Sequence, residues 1–278
     1  MSPLKNSIAT KALALLVLLC WTGLALAAQV VGSITNLSGP LMAKKADGVV
    51  KVLALRSEVE QGDTLVSEKN TYAQVKFIDN SEITLRPNSS FKVDNFSFDA
   101  GKPDGDNASF TLVKGGLRSV TGLLGKRNKE KFALKTPSAT IGIRGTTFIV
   151  EWVEPTPEAV AMLTAWREAS TASSDLMALA GAVPLQLAQN TAPQGPNVGL
   201  APGLYVHVID GIINLSNKGG SQTFSAGQFG FTPTPIQPPV LVPKNPGILF
   251  TPPQAFQSSS GSKTGTSSAA KAVDCEVR

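Results

Sequence analysis

The sequence predicts an all-β domain of jelly-roll or stacked β-coil type, with a small helical insertion and a disordered C-terminal tail. Three observations lead there. From Val30 to about Trp152 apolar and polar residues alternate in short runs, the period of strands with one buried face. Gly, Asn, Asp and Pro punctuate the runs and supply the backbone conformations that turns need. No helical period separates one run from the next, so the strands connect directly, as in sandwiches and coils.

The amino-terminal stretch comes first. Lys5 and Lys11 precede an apolar run from Ala12 to Leu26, and Ala25-Leu26-Ala27 offers the small residues a signal peptidase needs. Residues 1–27 are therefore expected to be a signal peptide, which places the protein in the periplasm or outside the cell. The run is interrupted by Thr22 and Gly23 and falls short of the roughly 20 apolar residues that cross a bilayer. Leu18-Leu19 before Cys20 lacks the small residues of a lipidation site. Removal of the segment takes Cys20 with it and leaves Cys275 alone, so a packed core rather than a disulfide must hold the fold. The chain has 25 basic and 20 acidic residues, two of the basic ones in the signal, and so small an excess does not indicate nucleic-acid binding.

The β domain is expected in two parts, residues 28–153 and 203–231. Ala73, Val75 and Phe77 share one face of a strand, Asp79-Asn80-Ser81 turns the chain, and Ile83 and Leu85 resume until Pro87-Asn88-Ser89 stops them. Phe91 and Val93 begin another strand. Further candidates are 109–113, 116–120, 131–135, 147–152, 205–209, 211–216, 221–224 and 228–231. Between these parts, residues 154–202 turn to Ala, Leu and Ser. Thr156 can cap and Pro157 can open a short helix there, with Met162, Leu163 and Trp166 as its apolar stripe. Residues 232–278 hold eight prolines between Pro233 and Pro253 and then a serine-rich run, an extended or disordered tail.

With the strands placed, several motifs stand together: Gly62-Asp63-Thr64, the run from Asp79 to Ser89, and Thr136-Pro137-Ser138-Ala139 followed by Ile143-Arg144-Gly145-Thr146-Thr147-Phe148. With Asp210-Gly211 and Ala226-Gly227-Gln228 they resemble the FecR-type periplasmic domain over residues 30–152 and 203–231. The family hallmark maps here to Thr136, Pro137, Ile143, Arg144, Gly145, Thr146 and Phe148. Asn80 stands where the family has glycine and Ile143 where it has valine, and the insertion is atypical. The resemblance implies an all-β envelope domain. In the best-known members it relays a receptor's signal to a cytoplasmic sigma factor through an amino-terminal segment and a membrane helix. Here a signal peptide is read in that place, so the expected role is that of a stand-alone sensor or adaptor acting on another envelope protein.

The remaining candidates divide between contact and scaffolding. Arg144, flanked by Gly142 and Gly145, either forks onto a partner's carboxylate or pairs with an internal acid or carbonyl, the second being the stronger reading. Arg118, Lys126, Arg127, Lys129 and Lys131 belong to a basic run relieved only by Glu130. They are expected around a hairpin tip at Gly122 and Gly125, as a solvated edge or as a contact for an anionic partner. Met162 and Trp166 are candidate contacts on the insertion. Asp99, Asp104, Asp106 and Asn107 share a loop, but not with the spacing of a calcium site. His207 is the single histidine, which argues against zinc and against a serine-histidine hydrolase. No cofactor, metal or catalytic constellation is expected. The second functional reading is a secreted or wall-associated module that binds glycan, with Tyr72, Trp152 and Tyr205 meeting sugar.

Overall fold

The computed structural model describes residues 29–155 and 200–256. The signal segment, the insertion stripe with Met162, Leu163 and Trp166, and the tail beyond Phe256 lie outside the described residues. Fifteen strands form one continuous, open sheet folded into two layers. They are β1 (Val30–Leu37), β2 (Leu41–Lys44), β3 (Val50–Leu53), β4 (Glu58–Glu60), β5 (Thr64–Ser67), β6 (Ala73–Phe77), β7 (Glu82–Leu85) and β8 (Ser90–Ser97). They continue with β9 (Asn107–Val120), β10 (Phe132–Lys135), β11 (Thr140–Val153), β12 (Gly203–Asn217), β13 (Gly220–Ser225), β14 (Phe229–Thr232) and β15 (Val240–Val242).

Three long strands carry the chain from one layer to the other. The first half of β9 pairs with β8 and β10, and its second half with β7 and β11. Strand β11 leaves β10 for β9 after a shift in register between Arg144 and Thr147. Strand β12 pairs with β14 at its start and β13 at its end. One layer, sheet I, therefore runs β4-β1-β6-β7-β9-β11-β12-β14-β15, and the other, sheet II, runs β3-β2-β5-β8-β9-β10-β11-β12-β13. Phe77 of sheet I stacks on Phe96 of sheet II at 5.0 Å and meets Phe110 at 5.2 Å. The inner faces of both layers share a single buried cluster that includes Leu85, Leu117, Phe148, Val206, Ile213 and Phe224.

Each bend sits on a glycine with positive φ: Gly115 at 76°, Gly145 at 60° and Gly211 at 81°. Only glycine adopts that region at little cost. At Gly211 a Cβ would also lie 2.4 Å from the Gly145 carbonyl oxygen, and at Gly115 2.7 Å from that of Asn88. The sequence pattern predicts strand ends at 113–116 and at 209–211. The chain instead continues through both as bent single strands, since a glycine that could end a strand can equally turn a corner.

Between Val120 and Phe132 the prediction of a hairpin does not hold. Gly122 precedes a one-turn helix, α1 (Leu123–Arg127), followed by a 3₁₀ turn at Lys129–Lys131. This connector returns the chain to sheet II, where β10 lies parallel to the start of β9. The tail also differs from expectation as far as Phe256. Val240–Val242 extends sheet I beside β14. Beyond it Ile248 packs with Ile149 and Tyr205, while Phe250 and Phe256 set their rings against Tyr72 at 6.0 and 6.2 Å.

Candidate functional site

The motif residues occupy turns and corners. Thr136 closes Thr136-Pro137-Ser138-Ala139 by donating its hydroxyl to the Ala139 carbonyl at 2.7 Å and accepting the Ala139 N–H at 3.1 Å. Thr146, buried at the bend of β11, donates to the Ile212 carbonyl at 2.7 Å. Its own N–H reaches the Thr121 hydroxyl at 2.9 Å, and that hydroxyl donates back to the Thr146 carbonyl at 2.7 Å. Ile143 and Phe148 point into the core on either side of the bend, and Pro137 is exposed on its turn.

The earlier motifs behave likewise. Buried Asp79 accepts the N–H and the hydroxyl of Ser81 at 2.9 and 2.6 Å through one oxygen. Its other oxygen accepts the Leu124 N–H at 3.2 Å, capping α1 as an N-terminal carboxylate does. Ser89 both donates to the Gly116 carbonyl and accepts its N–H at 2.9 Å, pinning the bend of β9. Buried Asp63 holds Lys45 at 2.9 Å beside Glu60. The Gln228 side chain accepts the Ser225 N–H at 2.7 Å across Ala226-Gly227. A buried polar group must find partners or pay its full desolvation cost, and these groups find them within the scaffold.

Arg144 is different. It is exposed on the outer face of sheet II, and while its backbone N–H donates to the Thr146 hydroxyl at 3.2 Å, its guanidinium forms no hydrogen bond or ion pair with any described residue. The internal partner favoured on sequence grounds is therefore not found among the described residues. The side chain instead borders a groove of about 440 Å³. Gly142, Asn214 and Ile212 form its floor, Thr223 its far side, and Lys129, Glu130 and Phe132 its near wall. A second recess of about 560 Å³ opens on the same face between Lys44, Thr64, Lys92, Asp94 and Val113. Along this face small residues such as Thr140 and Ser216 alternate with charged ones, Asp94 accepting from the Thr111 hydroxyl at 2.6 Å and pairing with Lys92 and Lys135.

The expected basic cluster is divided. Lys126, Lys129 and Lys131 are exposed on the connector with no ion pair among the described residues, and Lys129 reaches the groove. Arg118 lies on the other layer, between Thr84 and Ile149 on the outer side of sheet I, half-buried. Arg127 is a clasp. Its guanidinium grips both carboxylate oxygens of Asp106 at 2.6 Å, donates to the Ala100 and Asp99 carbonyls, and sits 4.6 Å from the Phe98 ring centre. The Asp106 carboxyl is held below its ordinary range, chiefly by that hydrogen bond, and also accepts from Asn128 at 2.9 Å. The Asp99–Asn107 loop thus spends its buried acid on an arginine. No group of three or more potential metal ligands occurs among the described residues.

The rings considered for sugar are engaged elsewhere. Tyr205 is buried against Phe231 at 4.6 Å and donates to the Ala201 carbonyl. Tyr72 lies under Phe250 and Phe256, and Trp152 packs on the core. His207 stacks on Phe229 at 4.2 Å, and burial lowers its pKa. No helix among the described residues is long and apolar enough to cross a membrane.

Residues 63–164 match the family described as "FecR protein". No curated protein matches the chain. Among solved structures, a "Cell surface anchoring domain" is 22% identical over 22% of this chain and 82% of its own, with a TM-score of 0.22. Two crystal structures of a "putative anti-sigma factor" from Parabacteroides distasonis ATCC 8503 are each 8% identical, with a TM-score of 0.39. The alignment covers 64% of this chain and 58% of that one, less than two thirds of its length.

Proposed function

We propose, on the match of residues 63–164 to the FecR protein family, that the chain is a non-enzymatic sensor or adaptor of the cell envelope, periplasmic or secreted, acting by protein–protein contact through the outer face of sheet II. One observation carries the reading. The buried side chains of Asp79, Ser89 and Thr146 in the family motifs are consumed by turns and bends, whereas the Arg144 side chain of the same hallmark stands exposed beside a groove and has no partner among the described residues. A guanidinium of that kind suits a carboxylate on another protein. The shape and polarity of the face fit recognition: a groove within the roughly 300–1,000 Å³ of binding sites, rimmed by Lys129 and Arg144. Glycan binding is the weaker reading, because Tyr72, Trp152 and Tyr205 are occupied in packing.

The test is retention of an envelope protein by the exported chain, set against the Arg144→Glu variant and against sedimentation with purified cell wall. The reading expects a discrete protein that the variant releases. Co-sedimentation with wall, unchanged in the variant, would overturn it. Sequencing the amino terminus of the exported form should find Ala28 first, and an intact Met1–Ala27 segment would contradict export by cleavage.

A further inference from the structure

We infer that the groove over Gly142 is a binding site for an extended, carboxylate-bearing peptide segment, with Arg144 as its anchor; this deepens the adaptor reading by naming the feature of the partner that is gripped. Gly115, Gly145 and Gly211 have a backbone reason to be glycine, since each has positive φ. Gly122 has a packing reason, because a Cβ there would lie 2.4 Å from the Ser81 nitrogen. Gly142 has neither. Its φ is outside the left-handed region and its Cβ would meet only the Asn214 carbonyl oxygen, at 4.0 Å. A glycine inside a strand forgoes stability relative to a residue with a side chain. What its bareness provides here is the open floor of the groove, where another chain can approach the backbone closely.

The surrounding chemistry specifies what approaches. Two residues on from Gly142, Arg144 lies on the same face of β11. Lys129 stands on the opposite wall, and Glu130 is the one acid that lines the space. This balance favours an anionic group, and the planar fork of arginine favours a carboxylate gripped by two hydrogen bonds. Ile212, 36% exposed, adds an apolar strip beside it. Asn214 and Thr223, joined at 3.3 Å, offer amide and hydroxyl groups that can turn toward a peptide backbone. No Phe, Tyr or Trp among the residues lining the groove, apart from buried Phe132, offers a ring face to a sugar. The occupant that fits is therefore a short peptide stretch alternating an acidic with an apolar side chain.

The probe is a fluorescein-labelled hexapeptide of alternating glutamate and valine, with a glutamine–valine counterpart and a sulfated oligosaccharide as controls, titrated by anisotropy into the exported chain. Saturable binding is expected for the glutamate peptide, weakened about tenfold or more in Arg144→Gln, only partly restored in Arg144→Lys, and abolished in Gly142→Trp. All three variants should melt with the parent, because neither position packs a side chain into the core. Binding of the glutamine peptide as tight as that of the glutamate one would overturn the inference. So would binding indifferent to both substitutions, absence of saturable binding, or preference for the oligosaccharide lost in the same variants. The adaptor reading fails separately: if the exported chain retains an envelope protein that Arg144→Gln and Gly142→Trp retain equally, the adaptor stands and this groove falls. If the peptide binds as expected and no envelope protein is retained, the groove stands and the adaptor reading falls.

Discussion

The two outer faces of the sandwich are made by the same three bent strands and yet meet their surroundings differently. On sheet I the outward residues of β11, β12 and β14 are Ile149, Tyr205, Phe229 and Phe231, and the chain covers them itself with Leu200, Ile248 and Phe250. On sheet II, β11 and β12 on the other side of their bends present Gly142, Arg144 and Asn214, with Thr223 of β13 beside them, and no described segment covers them. A strand that bends at Gly145 or Gly211 thus changes from apolar-outward to polar-outward at the corner. The apolar face had to be buried and became structural. The polar face stays open, and it is the face proposed for recognition.

The largest difference in stability is expected at the bends. Gly211→Val places a branched side chain at positive φ and against the Gly145 carbonyl, and should cost on the order of 3 kcal/mol in urea unfolding. Gly142→Val, on the open face, should change stability by less than about 1 kcal/mol, in either direction. If the two variants unfolded at the same urea concentration, the distinction between corner and groove glycines would be lost.

The strap over sheet I should register next. Ile248 is 3% exposed, and Ile248→Ala should lower stability by about 2 kcal/mol, at the low end for a buried isoleucine because the site is peripheral. Ile212→Ala, on the open face, should stay within about 0.5 kcal/mol. Equal losses would mean that sheet II is covered as well.

Acid should expose the Arg127 clasp. The Asp106 pKa is lowered in the folded chain, mainly by its hydrogen bond to Arg127. A depressed carboxylate stabilises the fold at pH above its unfolded value of about 3.9, and that stability disappears as pH falls through the lower folded value. The parent should therefore lose melting temperature as pH drops below about 4. Arg127→Met, less stable at neutral pH, should lose less over that interval. Parallel pH profiles for the two proteins would show that the clasp contributes nothing there. The smallest effect is expected at Arg144→Gln, whose stability should match the parent's to within about 0.5 kcal/mol.

Much of this fold was legible in the sequence because period-two patterning and turn chemistry are local. Val75 and Phe77, the Asp79-Asn80-Ser81 turn and the stop at Pro87-Asn88-Ser89 are read correctly for that reason. Gly115 and Gly211 were read as breaks because φ > 0 is shared by chain reversals and by corners, and only the pairing partners on either side tell them apart. Arg127 is indistinguishable in sequence from the other basic residues because its partner Asp106 is 21 positions away, beyond any local pattern. The prolines of the strap suggest an extended tail, although Ile248, Phe250 and Phe256 among them carry the signal for packing. Arg144 was singled out from the hallmark. That Gly142 beside it opens a groove could be seen only once the space above it was known.

Which face a partner covers decides between recognition on sheet II and recognition on sheet I. Hydrogen exchange of the exported chain, measured alone and with its retained envelope partner, reads this at once. Slower exchange is expected at Gly142–Arg144, Ile212–Asn214 and Gly220–Ser225, with the strap from Pro243 to Phe256 unchanged. Protection confined to the strap and to β14 and β15 would contradict the account, placing recognition on the face here assigned to structure.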